Sequence, residues 1–208
     1  MQIDLVRQAA LELFAVRGFS ATGIRDIARA SGINSATLYH YVGSKEEFLV
    51  EMIRACLESM IAAGEEAMRA SSDPTRRLAG LVMGHVGVAA TNPLTARVAE
   101  YEMRALSTEN ARAMQRLRDE YEAMFATVVA EGVAAGQFDL EDQSLTRLAL
   151  LEMCTGVAHW YRRDGRVTLP ELQRQFVHMA CRLVGADQTR IEGYRPELTI
   201  VALPSEPR

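Results

Sequence analysis

The chain has 208 residues, of which 49% are hydrophobic and 24% charged, with a formal net charge of −4. That much apolar material can bury a sizeable core as a small domain beside a larger one. No run of about eighteen apolar residues and no signal-peptide pattern is present, so no membrane association and a cytoplasmic location are expected.

The first apolar stripe, Leu5, Ala9, Leu13 and Phe14, belongs to a helix that ends at Gly18. Thr22 can cap a second helix, in which Ile24, Ile27 and Ala28 recur at helical spacing before Gly32 ends it. Only Ile33 and Asn34 separate it from a third segment. Wound at about 100° per residue, that segment puts Leu38 and Val42 on one face, with Tyr41 flanking them. Ala36, Thr37, Tyr39 and His40 fall on the opposite face. Asn34 is a good N-cap for it, Gly43 suits a left-handed stop, and Ser44 with Glu47 forms a capping box for the next helix. Two short helices joined by a tight, glycine-containing turn form the helix-turn-helix pattern, whose second helix enters the major groove of DNA.

Charge does not announce this role. Residues 1–50 hold Arg7, Arg17, Arg25, Arg29 and Lys45 against Asp4, Glu12, Asp26, Glu46 and Glu47, a neutral balance. DNA contact therefore has to come from local geometry and helix N-termini rather than from a broad basic field.

The rest reads as helix. Segments are expected from Ser44 to about Ser71, over 75–91, from Pro93 to Leu106, from Thr108 to Gln137, from Leu140 to Arg163 and from Leu169 to Val184. The "LTIVAL" stretch lies in a proline-bearing tail that reads as extended or mobile rather than as a sheet element. Cys56, Cys154 and Cys181 are odd in number and widely spaced, which gives no disulfide or zinc framework and reads as small buried hydrophobes. Gly80, Gly84 and Gly87 sit inside an apolar run that suits close helix packing better than a phosphate loop. The four histidines, His40, His85, His159 and His178, show no mutual ligand spacing, and a lone helical histidine reads as a satisfied polar group. With no nucleophile elbow, no phosphate loop and no zinc-protease motif, neither an enzyme nor a metal site is expected.

The stretch "GFSATGIRDIARASGINSATLYHYVGSKEEF" resembles the signature of the TetR family of transcriptional regulators, in one register over nearly all of residues 5–50. Thr22, Arg25, Ile27, Ala28, Gly32, Thr37, Leu38, Tyr39, Tyr41, Ser44 and Lys45 stand where that pattern expects them. Asn34 replaces a usual serine, Ala36 a frequent glycine and Val42 a frequent phenylalanine, the last of which thins the small domain's core. The resemblance implies an all-α fold, with a three-helix DNA-binding domain at 1–48, a helical ligand-binding and dimerisation domain at 49–186 and a tail at 187–208. It also implies a homodimer on near-palindromic operator DNA. Thr22, Arg25, Ser35, Ala36, Thr37, Tyr39, His40 and Lys45 would lie at the DNA. Leu145, Leu148, Leu172, Phe176, Met179 and Leu183 would form the dimer interface on the last two long helices.

Four further pieces resemble one branch of that family, regulators of fatty-acid and steroid-ring degradation that respond to acyl-CoA thioesters. They are Arg104-Ala-Leu-Ser, Arg118-Asp-x-Tyr121, Glu131-Gly-x-x-x-Gly136 and Trp160-Tyr161-Arg162-x-Asp164-Gly165. The branch implies a repressor released from its operator by an acyl-CoA. Met103, Arg104, Met124, Met153, Trp160 and Arg162 would lie at the effector site, the methionines and Trp160 as adaptable apolar walls and Arg162, with Arg163 and Arg166, as cations for the CoA phosphates. Two alternatives stay open: a repressor sensing an uncharged hydrophobic compound, and a helical interaction protein with a vestigial DNA module.

Overall fold

The computed structural model describes residues 2–34, 38, 44–204 and 206. Among these the protein is all-α, as the sequence predicts. The helices are α1 (Gln2–Arg17), α2 (Ile24–Ala30), α3 (Lys45–Ala70), α4 (Pro74–Thr91), α5 (Pro93–Tyr101), α6 (Thr108–Ala134), α7 (Gln143–Thr155), α8 (Val157–Trp160) and α9 (Leu169–Leu183). The expected single helix over Leu140 to Arg163 is instead two, with Gly156 serving as the C-cap of α7 and the N-cap of α8.

The chain folds as two compact units. The first holds Met1–Glu58, Asn92–Leu117 and Ala202–Arg208, and the second holds Ser59–Thr91 and Arg118–Val201. Helices α3 and α6 each contribute to both.

In the first unit, α1 supplies Val6, Ala10, Leu11 and Phe14 to the core, α2 supplies Ile27 and Ala28, and α3 supplies Phe48, Leu49, Met52 and Ile53. Leu38, Val98 and Met114 complete it. The buried face of α1 is rotated from the expected stripe, and Leu5 is 55% exposed. The reason is that α1 packs against both α2 and α5, and the α5 contact cannot be read from a pattern local to α1. Helix α5 starts where Pro93 fixes a helical φ and has no N–H to satisfy. The tail, read from sequence as extended or mobile, is anchored here. Leu203 donates its N–H to Asn92 Oδ1 at 2.7 Å. Glu206, only 8% exposed, accepts from the N–H groups of Leu94 and Thr95 at 2.9 and 3.1 Å and from the Thr95 hydroxyl at 2.7 Å. A carboxylate against the open amides of a helix N-terminus is favourable on both hydrogen-bonding and dipole grounds.

In the second unit α4 is buried along most of its length, from Pro74 to Ala90. Its glycines are where other elements come close. A Cβ on Gly80 would stand 2.7 Å from the Ala67 Cβ of α3, and one on Gly84 would stand 3.1 Å from the Ala63 Cβ. The close-packing reading of these glycines holds. Helix α6 ends in a Schellman motif: Gly136 takes φ +65°, and the N–H groups of Gly136 and Gln137 return to the carbonyls of Val133 and Gly132. The next side chain, Phe138, then folds over Gly132. Helix α9 starts with a full capping box, because Glu171 accepts from both the N–H and the hydroxyl of Thr168. All three cysteines are buried and free, and burial pushes the Cys56 and Cys154 thiols up to about 12.

Gly132 tests the packing. A Cβ there would lie 2.1 Å from the Phe138 ring, and Phe138 is only 5% exposed. Gly132→Ala is expected to destabilise the protein by about 1–3 kcal/mol, despite alanine's better helix propensity. Urea denaturation of variant and wild type measures this.

Candidate functional site

The first unit carries the DNA-binding elements. Helix α2 begins at the N-cap Gly23, whose N–H donates to Asp26 Oδ2 at 3.0 Å. Thr22, expected as the cap, is instead 1% exposed. Its hydroxyl donates to the Gly18 carbonyl at 2.9 Å and so closes the loop that follows α1. Arg25 is exposed in the first turn of α2.

The end of α2 is a Schellman motif too. Gly32 has φ +72°, its N–H returns to the Arg29 carbonyl at 3.3 Å, and Ile33 N–H returns to the Ala28 carbonyl at 3.0 Å. Beyond it, Leu38 is helical, buried and bonded through its N–H to the Asn34 carbonyl at 3.1 Å. Ser35, Ala36, Thr37, Tyr39 and His40 lie outside the described residues.

Ser44 caps α3 by accepting from the Glu47 N–H at 3.2 Å. One residue on, the Lys45 ammonium donates to the carbonyls of Phe19 and Thr22 at 2.7 and 2.8 Å and lies 4.0 Å from the centre of the Phe19 ring. Lys45 therefore ties the start of α3 to the loop that launches α2. Partial burial holds its pKa below the usual lysine value, and Glu102 partly offsets that shift. Sequence reasoning placed Lys45 only at the DNA and missed this clamp, because its partners are backbone carbonyls, which carry no residue-type signal.

In the second unit, the expected effector residues sit on different elements. Met124 is partly buried on α6, where a Cβ on Gly64 would meet its sulfur at 2.6 Å, and Met153 is partly buried on α7. Trp160 is 56% exposed and stacks on Phe176, with ring centres 6.2 Å apart. Arg162 is exposed and bidentate with Asp164, at 3.1 and 2.9 Å. Arg163 donates to the Thr91 carbonyl at the C-terminus of α4, the helix-capping role that competes with phosphate binding. Met103 and Arg104 belong to the first unit.

The interior of the second unit holds a histidine that the sequence reads as a satisfied polar group, and that is only half satisfied there. His85 on α4 is 3% exposed and edge-on to Tyr121 and Phe125, at centroid distances of 5.5 and 6.4 Å. Tyr121 and Phe125 stand four residues apart on α6 and are themselves in edge contact. Burial pushes the imidazole down to about 4, so it is neutral near pH 7. The only sequence signal was one polar residue in the apolar run "LVMGHVGVAA".

Of the residues expected at the dimer interface, Leu145, Leu148, Met179 and Leu183 are exposed, at 65%, 44%, 41% and 44%. Leu172 and Phe176, expected beside them, are 4% and 6% exposed and serve the unit's own core. Leu172, Phe176, Met179 and Leu183 share one stripe of α9 at helical spacing, and that spacing does not tell its buried members from its exposed ones. Among the described residues no helix is long and apolar enough to cross a membrane, and no three His, Cys, Asp or Glu side chains gather where a metal ion could be held.

A short helix braced by α1 and ended by a Schellman turn, with the loop before it clamped by Lys45, is the arrangement expected of a DNA-binding regulator of the helix-turn-helix class. Comparison with known proteins names the family. Residues 6–52 match the bacterial regulatory proteins of the tetR family, and residues 71–184 match the tetracyclin repressor-like C-terminal domain. The chain belongs to the TetR family of transcriptional regulators. It is 30% identical over 175 residues to the HTH-type transcriptional repressor KstR2 of Mycobacterium tuberculosis, covering 82% of this chain and 86% of that one. To KstR2 of Rhodococcus jostii it is 29% identical over 170 residues, 81% and 83% of the two chains. Among solved structures, the ketosteroid transcriptional regulator KstR2 of M. tuberculosis superposes with a TM-score of 0.80 at 27% identity, covering 89% of this chain and 94% of that one. PfmR of Thermus thermophilus does so with a TM-score of 0.76 at 32% identity, covering 85% and 97%. AibR, solved with isovaleryl coenzyme A and operator DNA, shares the fold at 18% identity, with a TM-score of 0.74 over 90% of this chain and all of that one.

The clamp at Lys45 gives a measurable expectation. Lys45→Met removes two hydrogen bonds from a charged, half-buried donor and is expected to cost about 1–2 kcal/mol of stability. A lowered urea midpoint with an unchanged slope would report this.

Proposed function

We propose that this protein is a homodimeric repressor that binds a near-palindromic operator and is released from it by an acyl-CoA thioester. The observation that carries the reading is its similarity to the repressor KstR2 across both the DNA-binding and the C-terminal regions. An interior built from Tyr121, Phe125, Met124 and Leu81 around few polar atoms suits an acyl chain. That the AibR fold accommodates isovaleryl-CoA is in keeping with this. The exposed Trp160, followed by Arg162, Arg163 and Arg166, supplies an apolar plate and cations for the CoA end.

At the operator, Arg25 and the N-terminus of α2 approach the backbone, while Thr22 acts through the loop it closes rather than through its buried hydroxyl. Lys45 has three donors, two of them held by carbonyls, and the third serves a phosphate. Tyr39 contacts phosphate, and Ser35, Ala36, Thr37 and His40 face base edges or the adjoining backbone. With a neutral N-terminal region, a monomer binds weakly and two half-sites roughly 34–36 Å apart are required. Ligand acts by favouring a different spacing of the two DNA-binding regions, because an effector shifts an equilibrium only by its differential affinity for the two states. Helix α3 is the lever, since it starts at Lys45 beside the DNA-binding elements and continues into the second unit.

A second reading rests on a specific observation. Arg162 is already paired with Asp164, and Arg163 with a helix carbonyl. Those pairings favour an uncharged hydrophobic effector.

The exposed apolar side chains of α7 and α9 support a dimer face there, since large exposed apolar patches mark contact surfaces. Leu145→Asp with Met179→Asp leaves the intrachain core intact and is expected to yield a monomer by sedimentation, with specific operator binding lost. An unaltered dimer would move the interface elsewhere.

Titrating octanoyl-CoA and longer acyl-CoAs into the protein–operator complex tests the effector. Release by acyl-CoA, but not by free CoA or the free acid, is expected, with Arg162→Met and Trp160→Ala weakening the response and sparing DNA affinity. Release by uncharged hydrophobes alone would select the second reading.

A further inference from the structure

The imidazole of His85 is half satisfied. Its Nε2 lies 3.1 Å from the Thr155 hydroxyl. Its Nδ1 is enclosed and meets no hydrogen-bond partner among the described residues. A neutral imidazole always presents one N–H and one bare lone pair. Enclosing either without a partner is unfavourable, and an apolar side chain of similar size would pack there without that cost. The ring's neighbours on α6, Tyr121 and Phe125, meet the imidazole in T-shaped contacts. Next to Tyr121, Gly64 leaves space that a Cβ would take from Met124, Leu81 and the Tyr121 ring, at 2.6, 3.4 and 3.4 Å. A polar nitrogen is thus held in a wall of polarisable and apolar groups, within the unit to which the effector site was assigned.

We propose that His85 Nδ1 is the polar recognition point of the effector site, and that it hydrogen-bonds one oxygen in the otherwise apolar part of the effector: a keto, hydroxyl or thioester carbonyl oxygen. The inference rests on the reading of this unit as effector-binding and adds to it the position and chemistry of one contact. Thr155 makes both choices available. If its hydroxyl donates to Nε2, the ring offers an N–H at Nδ1 to a carbonyl; if it accepts from Nε2–H, the ring offers a lone pair to a hydroxyl. The contact discriminates, since a site holding a buried polar atom rejects an analogue that leaves the atom unpaired far more strongly than an apolar pocket rejects a missing methylene. An oxygen-bearing acyl group therefore binds better than its plain saturated counterpart wherever that oxygen reaches His85.

The test uses full-length protein labelled with nitrogen-15 in its histidine rings, His85 being assigned by comparison with His85→Phe. The probes are octanoyl-CoA, 3-oxooctanoyl-CoA and 3-hydroxyoctanoyl-CoA, with 2-octanone and 2-octanol as uncharged counterparts. A probe that releases the operator is expected to move the His85 Nδ1 resonance while leaving those of His159 and His178 in place. His85→Phe is expected to need at least tenfold more of that probe for release, with operator affinity unchanged, and His85→Asn to recover part of the loss. The wild-type resonance is informative even if a variant folds poorly. A releasing probe that leaves Nδ1 unmoved overturns the proposal, because the atom is then satisfied by water or not at all. An unchanged midpoint in a folded His85→Phe overturns it too. If only the ketone or alcohol binds and shifts Nδ1, the acyl-CoA reading falls and the His85 contact stands. If no probe of either kind shifts it, the His85 contact falls.

Discussion

The approach of α4 to α3 at Gly80 and Gly84, where the Ala67 and Ala63 methyl groups occupy the space of the missing side chains, is the constraint around which the second unit is arranged. With two glycines facing two alanines, the helices come close enough to bury α4 from Pro74 to Ala90. A helix buried on so many sides has to be apolar on so many sides, and the one titratable group near its middle, His85, is forced into its neutral form by that burial. The same burial gives its unpartnered nitrogen consequences, since in solvent the atom would bond water and select nothing.

The first unit solves a different problem. A helix-turn-helix needs two short helices at a fixed angle, and helices this short are marginal unless packing and capping support them. Here α2 has a glycine-started, aspartate-braced N-terminus and a Schellman C-terminus, while Lys45 reaches back from α3 to hold the loop before it. Bonds from one charged side chain to two carbonyls make the start of α2 and the start of α3 parts of one rigid arrangement. On the proposal that Lys45 also meets a phosphate, its substitution acts by two routes, geometry and charge, and only the charge route alters the salt dependence.

Several pieces that gave the sequence its resemblance to acyl-CoA-responsive regulators have a packing explanation of their own. Glu131 pairs with Arg77 at 2.8 Å, Gly132 leaves room for the Phe138 ring, and Gly136 takes the left-handed conformation that ends α6. Tyr121 belongs to the buried aromatic group beside His85. Shared architecture accounts for these residues whichever effector is bound, so effector chemistry has to be read from the groups that packing does not use.

By itself the sequence determined the helical class, the helix-turn-helix with its glycine stops at 18 and 32, and the close-packing role of Gly80 and Gly84. Each is legible because local steric rules dictate it: periodicity marks the buried face, and a positive φ demands a residue without a Cβ. Tertiary structure decided which apolar residues stay outside. Leu172 and Phe176 share a helical stripe with Met179 and Leu183 in the sequence, yet the first pair is buried within the chain and the second is exposed, because only packing against the rest of the unit decides how far along that stripe the core extends. It also decided that Lys45 clamps a loop, that Glu206 caps a helix 111 residues away and that His85 keeps one nitrogen unpaired. Those outcomes depend on backbone carbonyls, amides and empty positions brought together from distant parts of the chain, and none of these has a letter in the sequence.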